Sequence, residues 1–589
     1  MFGTIILVLV FVVLTIAVTG ALVIKKMPYK RGRSLNSFNI LLTGIVIASV
    51  LMFLPIYGQL FETGRYGIAK TLLLSLHNTI RLFIVDGEFS IILDSVKVIP
   101  ENIRDVYIIL AAILFVVAPF LTFGFVLSFF KNVSAYESYY VNYFSEMYVF
   151  SELNEKSIEL AKSLKKNNCR RCIVFTDVFE TEDEITYELI VEAKEVGAIL
   201  FKKDISVVNF SAHSKKSKVT FFIIGEDENE NINQTFSLIK RYKKYDNMAI
   251  YVFTMSVNSE LLLGKPYDGK IKLRRINEVQ SLINRNLYDN GIGIFEGAIQ
   301  NEEKEKDISA LIIGMDQYGI EMTKSLSWFC QMDGYRVRIH AADAHKNAKE
   351  KFAYECPELM DEKHNHDFKT KGEAHYSIDI YSGVHAESKH FLNMLEEILP
   401  VTYVFISTGD DERNIRLAVK LRSWFLRQGL FPRIDAIVKS SGKKIALEGV
   451  TNYSGQKYDI NFIGDTHSSY SEEVIFESDV EKEALERHLK WGKEEEFWRY
   501  EYNYRASVAA AIHKKMRILC GIPGAEKSIS DRSEEELKKL RVLEHCRWNA
   551  YMRSEGFSYA EKRNNLAKTH HCLIPFDELS LEEQEKDDV

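Results

Sequence analysis

Hydrophobic and polar positions divide the chain at about residue 140. Ahead of that point lie three uncharged runs, Phe2 to Ile24, Phe38 to Tyr57 and Val106 to Phe130. Each is long enough to cross ~30 Å of hydrocarbon, the last with some tilt. The stretch 58–105 carries a different pattern: Ile68, Leu72, Leu73, Leu76 and Ile80 recur at helical spacing, with His77 and Arg81 nearby. That predicts an amphipathic helix. It either rests on the outer membrane surface or forms a re-entrant or pore-lining element. No TVGYG-like filter occurs, so conduction, if any, does not use the potassium-filter solution.

Beyond residue 140 the apolar runs shorten and alternate with amphipathic helices. Met147 to Phe150 reads as a strand, Asn154 to Leu164 as a helix, and Cys172 to Phe175 as a second strand running to Asp177. Ile199 to Phe201, Val219 to Gly225 and Met248 to Phe253 continue the series. A second series comprises Ala310 to Gly314, Val337 to Ala342, Thr402 to Ser407, Ile434 to Val438 and Asp459 to Gly464. Short buried strands between helices are the mark of a parallel sheet covered on both faces. The expected fold class is therefore α/β with N-terminal membrane helices: two tandem doubly wound, Rossmann-like parallel-sheet domains, at 140–300 and 301–475. Asn301 to Asp307 reads as a linker and Asp361 to Glu373 as a surface loop. A helical connector follows at 476–532. Its aromatic residues, among them Trp491, Phe497, Trp498 and Tyr504, are expected to pack the last domain, 533–589, onto the second sheet.

Composition adds location. The 589 residues carry a net charge of −7, which gives no sign of a nucleic-acid polymer as partner. Seven scattered cysteines suggest no disulfide framework and fit a reducing cytosol. Lys25, Lys26, Lys30, Arg31 and Arg33 follow the first run instead of preceding it, so that run is an uncleaved anchor, and the basic loop faces the cytoplasm. Three spans then put the N-terminus outside and the large C-terminal part inside. The expected location is a multi-pass protein of the cell's inner membrane.

Candidate chemistry centres on the first turn of each sheet. A dinucleotide site wants G-x-G-x-x-G, whose central glycine lets backbone approach a pyrophosphate at a helix N-terminus. The second domain reads Gly314-Met315-Asp316-Gln317-Tyr318-Gly319, with Asp343 in the ribose position. Asp316 thus puts a carboxylate where phosphate would sit. In the first domain Ser151-Glu152-Leu153-Asn154 has no glycine, although Asp177 remains. Both turns read as scaffolds with poor or lost dinucleotide binding. Cys169-Arg170-Arg171-Cys172 starts a strand and not a helix, which argues against a redox pair. His364, His366 and Asp367 read as solvated. His570-His571 with Cys546 and Cys572 lacks a zinc spacing, and no metal is expected. No G-x-S-x-G, H-E-x-x-H or phosphate-loop motif is present, and no catalytic residue is assigned; the chain does not read as an enzyme.

The C-terminal residues form the most informative constellation. Trp548, Tyr551 and Phe557 offer aromatic faces for a base, while Arg547, Arg553, Lys562, Arg563 and Lys568 offer donors for phosphates. Glu544 could accept from a base amine or hold an arginine. The same aromatics could equally form the core of a small helical domain.

Two resemblances follow from these residues. The segment Arg274-Arg275-Ile276-Asn277-Glu278 and the turn IIGMDQYG, after three spans, resemble the TrkA-N (KTN/RCK) regulatory domains of potassium channels and transporters. That resemblance implies dimerisation or higher homo-oligomers (dimer or tetramer), nucleotide binding and a pull on a pore. Leu543-Glu544-His545-Cys546-Arg547-Trp548, Gly556-Phe557 and Lys568 to Leu579, with His570 and His571, resemble the ryanodine-receptor repeat (RyR) domain. Phe557 stands for its usual Trp and His571 for its usual Pro. This implies a nucleotide or cyclic-nucleotide ligand near Glu544, Arg547, Trp548, Tyr551, Arg553, Phe557, Arg563, Lys568 and His570, and a role in anti-phage defence. The expectation is a ligand-responsive membrane effector or channel-like protein, with membrane lipid and a nucleotide-like small molecule as partners. A membrane-anchored NAD(P)-binding or NAD-processing enzyme and a non-conducting scaffold are the alternatives.

Overall fold

A computed structural model describes residues 10–15, 34–61, 66–84, 86–97, 100–177, 184–211, 216–255, 270–447, 451, 454–475 and 479–588. The chain divides into two compact units: residues 1–144, 174–187 and 197–214 form one, and residues 145–173, 188–196 and 215–589 the other.

In the first unit, helices Ser34–Phe61, Gly67–Phe83 and Glu101–Val141 pack on one another. Two of them contain stretches long and apolar enough to cross a membrane, Leu42–Gln59 and Glu101–Thr122. Of the anticipated first span, Phe2 to Ile24, only residues 10–15 are described, and they are helical; the basic loop from Lys25 to Arg33 lies outside the described residues. Along Glu101–Val141, Tyr107, Ala111, Leu114 and Ala118 form the buried seam, while the equally apolar Val106, Ile109, Ile113, Val116 and Phe120 face outward. A helix apolar on both faces suits lipid or a protein core, not water.

Helix Gly67–Phe83 confirms the 3.6-residue stripe and reverses its usual orientation. Ser75, Asn78, Thr79 and Leu82 are buried, while Leu72, Leu73, Leu76 and Ile80 are exposed. The packed side carries the polar residues together with Leu82. Asn78 Nδ2 donates to Tyr57 Oη at 2.6 Å, and Thr79 Oγ1 to the Ser75 carbonyl at 2.8 Å. Tyr107 Oη donates to the Met52 carbonyl.

Two parallel sheets follow along the chain. The first has strands β1 (Met147–Phe150), β2 (Cys172–Thr176), β3 (Ile199–Phe201), β4 (Val219–Ile223), β5 (Met248–Phe253) and β6 (Lys272–Ile276), in the order β3-β2-β1-β4-β5-β6. The second has β8 (Lys306–Ile313), β9 (Tyr335–Asp343), β10 (Tyr376–Ser382), β11 (Tyr403–Ile406), β12 (Arg433–Ile437) and β13 (Ile460–Ile463), in the order β10-β9-β8-β11-β12-β13; β7 (Ile299–Gln300) pairs antiparallel with β8. Both orders are 3-2-1-4-5-6, the doubly wound arrangement with its switch point beside the first strand.

Three expectations need correction. Arg274-Arg275-Ile276 does not follow the last strand of the first sheet; it belongs to β6, a sixth strand. Tyr376–Ser382, missed in the sequence, is the edge strand β10. The linker 301–307 is a hairpin, with β8 already beginning at Lys306.

Connector helices Asp479–His488, Glu494–Arg499 and Glu501–Leu519 lead to Glu534–Ser554, and one continuous apolar core runs from Ile283 to Leu573 through the second sheet and these helices. The connector aromatics reach further than expected. Trp498 and Tyr504 enclose the Arg274 guanidinium of the first sheet at 5.5 and 5.0 Å, and Tyr504 Oη accepts from it at 2.7 Å.

Candidate functional site

The turn after β8 shows why its outer glycines are needed. Gly314 sits at φ +93°, and a Cβ there would lie 1.9 Å from the Ser407 carbonyl oxygen. A Cβ on Gly319 would lie 1.9 Å from the Gly314 carbonyl oxygen. Both glycines therefore serve close packing of strand, turn and helix. Asp316 is the N-cap of helix Gln317–Phe329 and accepts from the Tyr318 and Gly319 amides, each at 3.0 Å. It also accepts from Ser407 Oγ at 2.7 Å. Those amides are the donors a pyrophosphate would use. The site that the fold reserves for a phosphate is filled by the chain's own carboxylate. Burial raises the Asp316 pKa, and the two amides and Ser407 offset only part of that rise.

Asp343, in the ribose position, is also engaged. Its two oxygens accept from the Met315 amide at 2.6 Å and the His345 amide at 2.7 Å. Beside it Met315, Ile320, His345 and Phe352 line a cavity of about 190 Å³, below the ~300–1,000 Å³ of a drug-sized ligand pocket. The corresponding turn of the first sheet is closed by side chains. Ser151 Oγ accepts from the Ile224 amide at 3.0 Å, and Asn154 caps Ser157 while donating to the Ile224 carbonyl at 2.9 Å.

The C-terminal candidates are distributed around helix Glu534–Ser554. Its N-terminus is set by a capping box, Ser533 with Glu536. Trp548 packs between His545 and His570, at ring-centroid distances of 5.9 and 4.9 Å. Tyr551 is buried edge-on against Trp328 of the second sheet's first helix, at 6.2 Å. Phe557 is buried against Tyr502 at 5.9 Å. These three aromatics are core contacts of the module and its neighbours.

Arg553 is 2% exposed and donates to the buried Glu373 at 3.0 Å, which His364 also meets at 3.1 Å. Arg553 and Glu373 thus join the C-terminal helix to the 361–373 loop, a segment the sequence reads as mere surface. Phe576 N donates to the Gly372 carbonyl at 3.1 Å in the same joint. Arg563 and Lys568 are exposed; Lys568 Nζ donates to the Glu555 carbonyl at 2.8 Å.

His570 Nδ1 accepts from the Cys572 amide at 3.1 Å. His570, His571 and Cys572 bring their ligand atoms within 4.8 Å of one another, which the irregular spacing does not suggest. Burial and the hydrogen bond to Glu583 push the Cys572 thiol up to about 12.

Glu544 and Arg547 belong to a different, inward face of the helix. Glu544 Oε1 accepts from Arg487 Nη2 at 2.7 Å and Arg547 Nη2 at 2.9 Å, and Oε2 lies 3.5 Å from Arg517 Nη1. Burial works to raise the Glu544 pKa, but Arg547, Arg487 and Arg517 outweigh it and hold the carboxyl well below the usual range. Arg487, Arg517 and His513 escape the sequence reading because they sit in the connector. One signal was available: His513 and Arg517 are four apart at the end of the apolar run Ser507 to Ile512, so they share a face of a buried helix.

No protein-family model matches the chain, and no curated protein matches it in sequence.

Proposed function

We propose that this protein is a ligand-responsive membrane effector, in which the tandem α/β part and the C-terminal helical module sense a nucleotide-derived signal and act on the membrane helices. The observation that carries the reading is the helix Glu101–Val141. It is 41 residues long, or about 60 Å at 1.5 Å per residue, twice the hydrocarbon thickness. Its first half is the apolar stretch Glu101–Thr122, and its last turns meet β3 and the segment after it. Tyr136 packs on Phe201 at 4.9 Å, and Tyr139 on Phe210 at 5.7 Å, with Tyr139 Oη donating to the Phe210 carbonyl at 3.4 Å. A continuous helix transmits displacement along its axis, and only five residues separate its end from β1.

The outward apolar faces of Glu101–Val141 and Gly67–Phe83 support a membrane setting, and the resemblances to TrkA-N and RyR domains support the coupling of a sensor to a pore. A ligand with different affinity for two arrangements of the cytosolic part would supply the energy. The alternative of an anchored NAD-processing enzyme is disfavoured by the self-occupied Asp316 turn. The test is ion and dye flux from liposomes carrying the full chain, with mono-, di- and cyclic nucleotides and ADP-ribose derivatives added in turn. Flux with one ligand is expected; no flux with any of them, in correctly oriented protein, leaves the scaffold reading standing.

A further inference from the structure

The arginines around Glu544 carry more positive charge than the protein neutralises. Arg487, Arg517 and Arg547 converge on a single carboxylate. Arg532, Asp587 and Glu483 also lie within electrostatic reach, which leaves an excess of one positive charge. Arg517 and Arg547 are both 2% exposed. Neither terminal nitrogen of Arg517 has a hydrogen-bond partner, nor do Nε and Nη1 of Arg547, Oε2 of Glu544 or the hydroxyl of Tyr551. Tyr551 lies beside the Arg547 guanidinium, which is 5.7 Å from its ring centroid.

Buried donors in folded proteins are overwhelmingly paired, and an unpaired buried charge costs several kcal/mol. Arg517 Nη1 faces Glu544 Oε2 at 3.5 Å, and the three remaining guanidinium nitrogens, beside a surplus of positive charge, suit an anion. A phosphate group supplies up to two negative charges and oxygens spaced for the planar fork of an arginine. The surroundings favour its approach. Lys490 extends the positive field outward, with burial and Arg487 holding its pKa down, while Lys514 is paired with Glu483 at 3.2 Å. Burial also lowers the Arg517 pKa to about 10.

We propose that Arg487, Arg517 and Arg547 form a binding site for a phosphate dianion, either free or as the phosphoryl group of a nucleotide, at the junction of the connector helices and the C-terminal helix. Glu544 holds the three arginines in register. Because Arg487 and Arg517 lie on connector helices and Arg547 on the C-terminal helix, an occupied site clamps these elements together. The binding stands on its own; its consequence at the membrane rests on the sensing role proposed above.

The experiment uses the full-length protein in nanodiscs. Inorganic phosphate, AMP and ATP are titrated calorimetrically and by thermal shift, against chloride at matched ionic strength. Saturable binding is expected, weakened at least tenfold by Arg517→Met and by Arg547→Lys, the latter keeping the charge and losing the fork. Saturation by phosphate alone assigns the free anion; saturation only by AMP or ATP assigns the nucleotide phosphoryl. Binding absent with all three, or unchanged in a folded Arg547→Lys protein, overturns the site. Liposome flux is read in parallel: binding without flux preserves the site and overturns the sensing role.

Discussion

Replacing Asp316 by asparagine and, separately, by glycine distinguishes the two roles given to its carboxylate. As an N-cap it holds the Tyr318 and Gly319 amides and the buried Ser407 hydroxyl. Losing a cap costs roughly 0.5–2 kcal/mol when the side chain is truncated to alanine and a few tenths when it becomes glycine. Leaving a buried hydroxyl unpaired adds about 1–3 kcal/mol. Asp316→Gly should therefore destabilise by about 1–3 kcal/mol, whereas Asp316→Asn, which keeps an acceptor oxygen, should stay within about 1 kcal/mol.

As an anion the same group opposes phosphate. A phosphate oxygen on those amides would lie within about 4 Å of the carboxylate, a repulsion on the order of 3 kcal/mol or roughly a hundredfold in Kd. Wild-type protein should not bind NAD or ADP-ribose at this turn at neutral pH. Both variants should gain affinity, Asp316→Gly the more because it also frees the amides. The raised Asp316 pKa adds a sign. Protonation removes the repulsion, so wild-type affinity should increase as pH falls through that raised value, and Asp316→Asn should abolish the dependence. Calorimetric titration of the two ligands, beside urea unfolding of each variant, reads both quantities. Micromolar NAD binding by the wild type at neutral pH would refute the account of the turn.

Three further outcomes follow from the packing. Gly319→Ala places a Cβ 1.9 Å from a backbone oxygen and should fail to fold or lose well over 3 kcal/mol, whereas Gly334→Ala, with φ +75° but nothing within 4 Å, should cost about 1 kcal/mol; comparing melting temperatures checks the contrast. Glu544→Gln removes the one carboxylate among three arginines without changing volume and should cost about 3–5 kcal/mol; a change in urea midpoint worth under 1 kcal/mol would show that the arginines are neutralised some other way. Burial, with Arg563 and His571, lowers the His570 pKa to about 4, so it folds neutral. Between about pH 6.5 and 4 the unfolded chain binds the extra proton, and stability should fall by about 2 kcal/mol, allowing for solvent screening. His570→Gln should flatten that acid limb in pH-dependent melting.

The α/β architecture was legible because strand length and alternation are local properties. Met147–Phe150, Ile199–Phe201 and Met248–Phe253 fall where the apolar runs place them. β6 and β10 escaped because Lys272–Ile276 and Tyr376–Ser382 interleave polar residues, and only a neighbouring strand satisfies them. The helix at 67–83 was legible as a helix, but its orientation was not. Periodicity says that two faces differ; the packing partner decides which one is buried.

The sequence by itself determined the two sheets, the long apolar helices and the departure at Asp316, since each depends on residue type at fixed spacing along one segment. It also marked Glu544 and Arg547 as partners for charge. Only the tertiary structure decided that Trp548, Tyr551 and Phe557 pack in the core and that Arg553 joins Glu373. It alone brought Arg487 and Arg517 to Glu544. Those contacts link residues dozens to hundreds of positions apart. Their energies depend on burial and on mutual distance, and both arise only when separate helices close on one core.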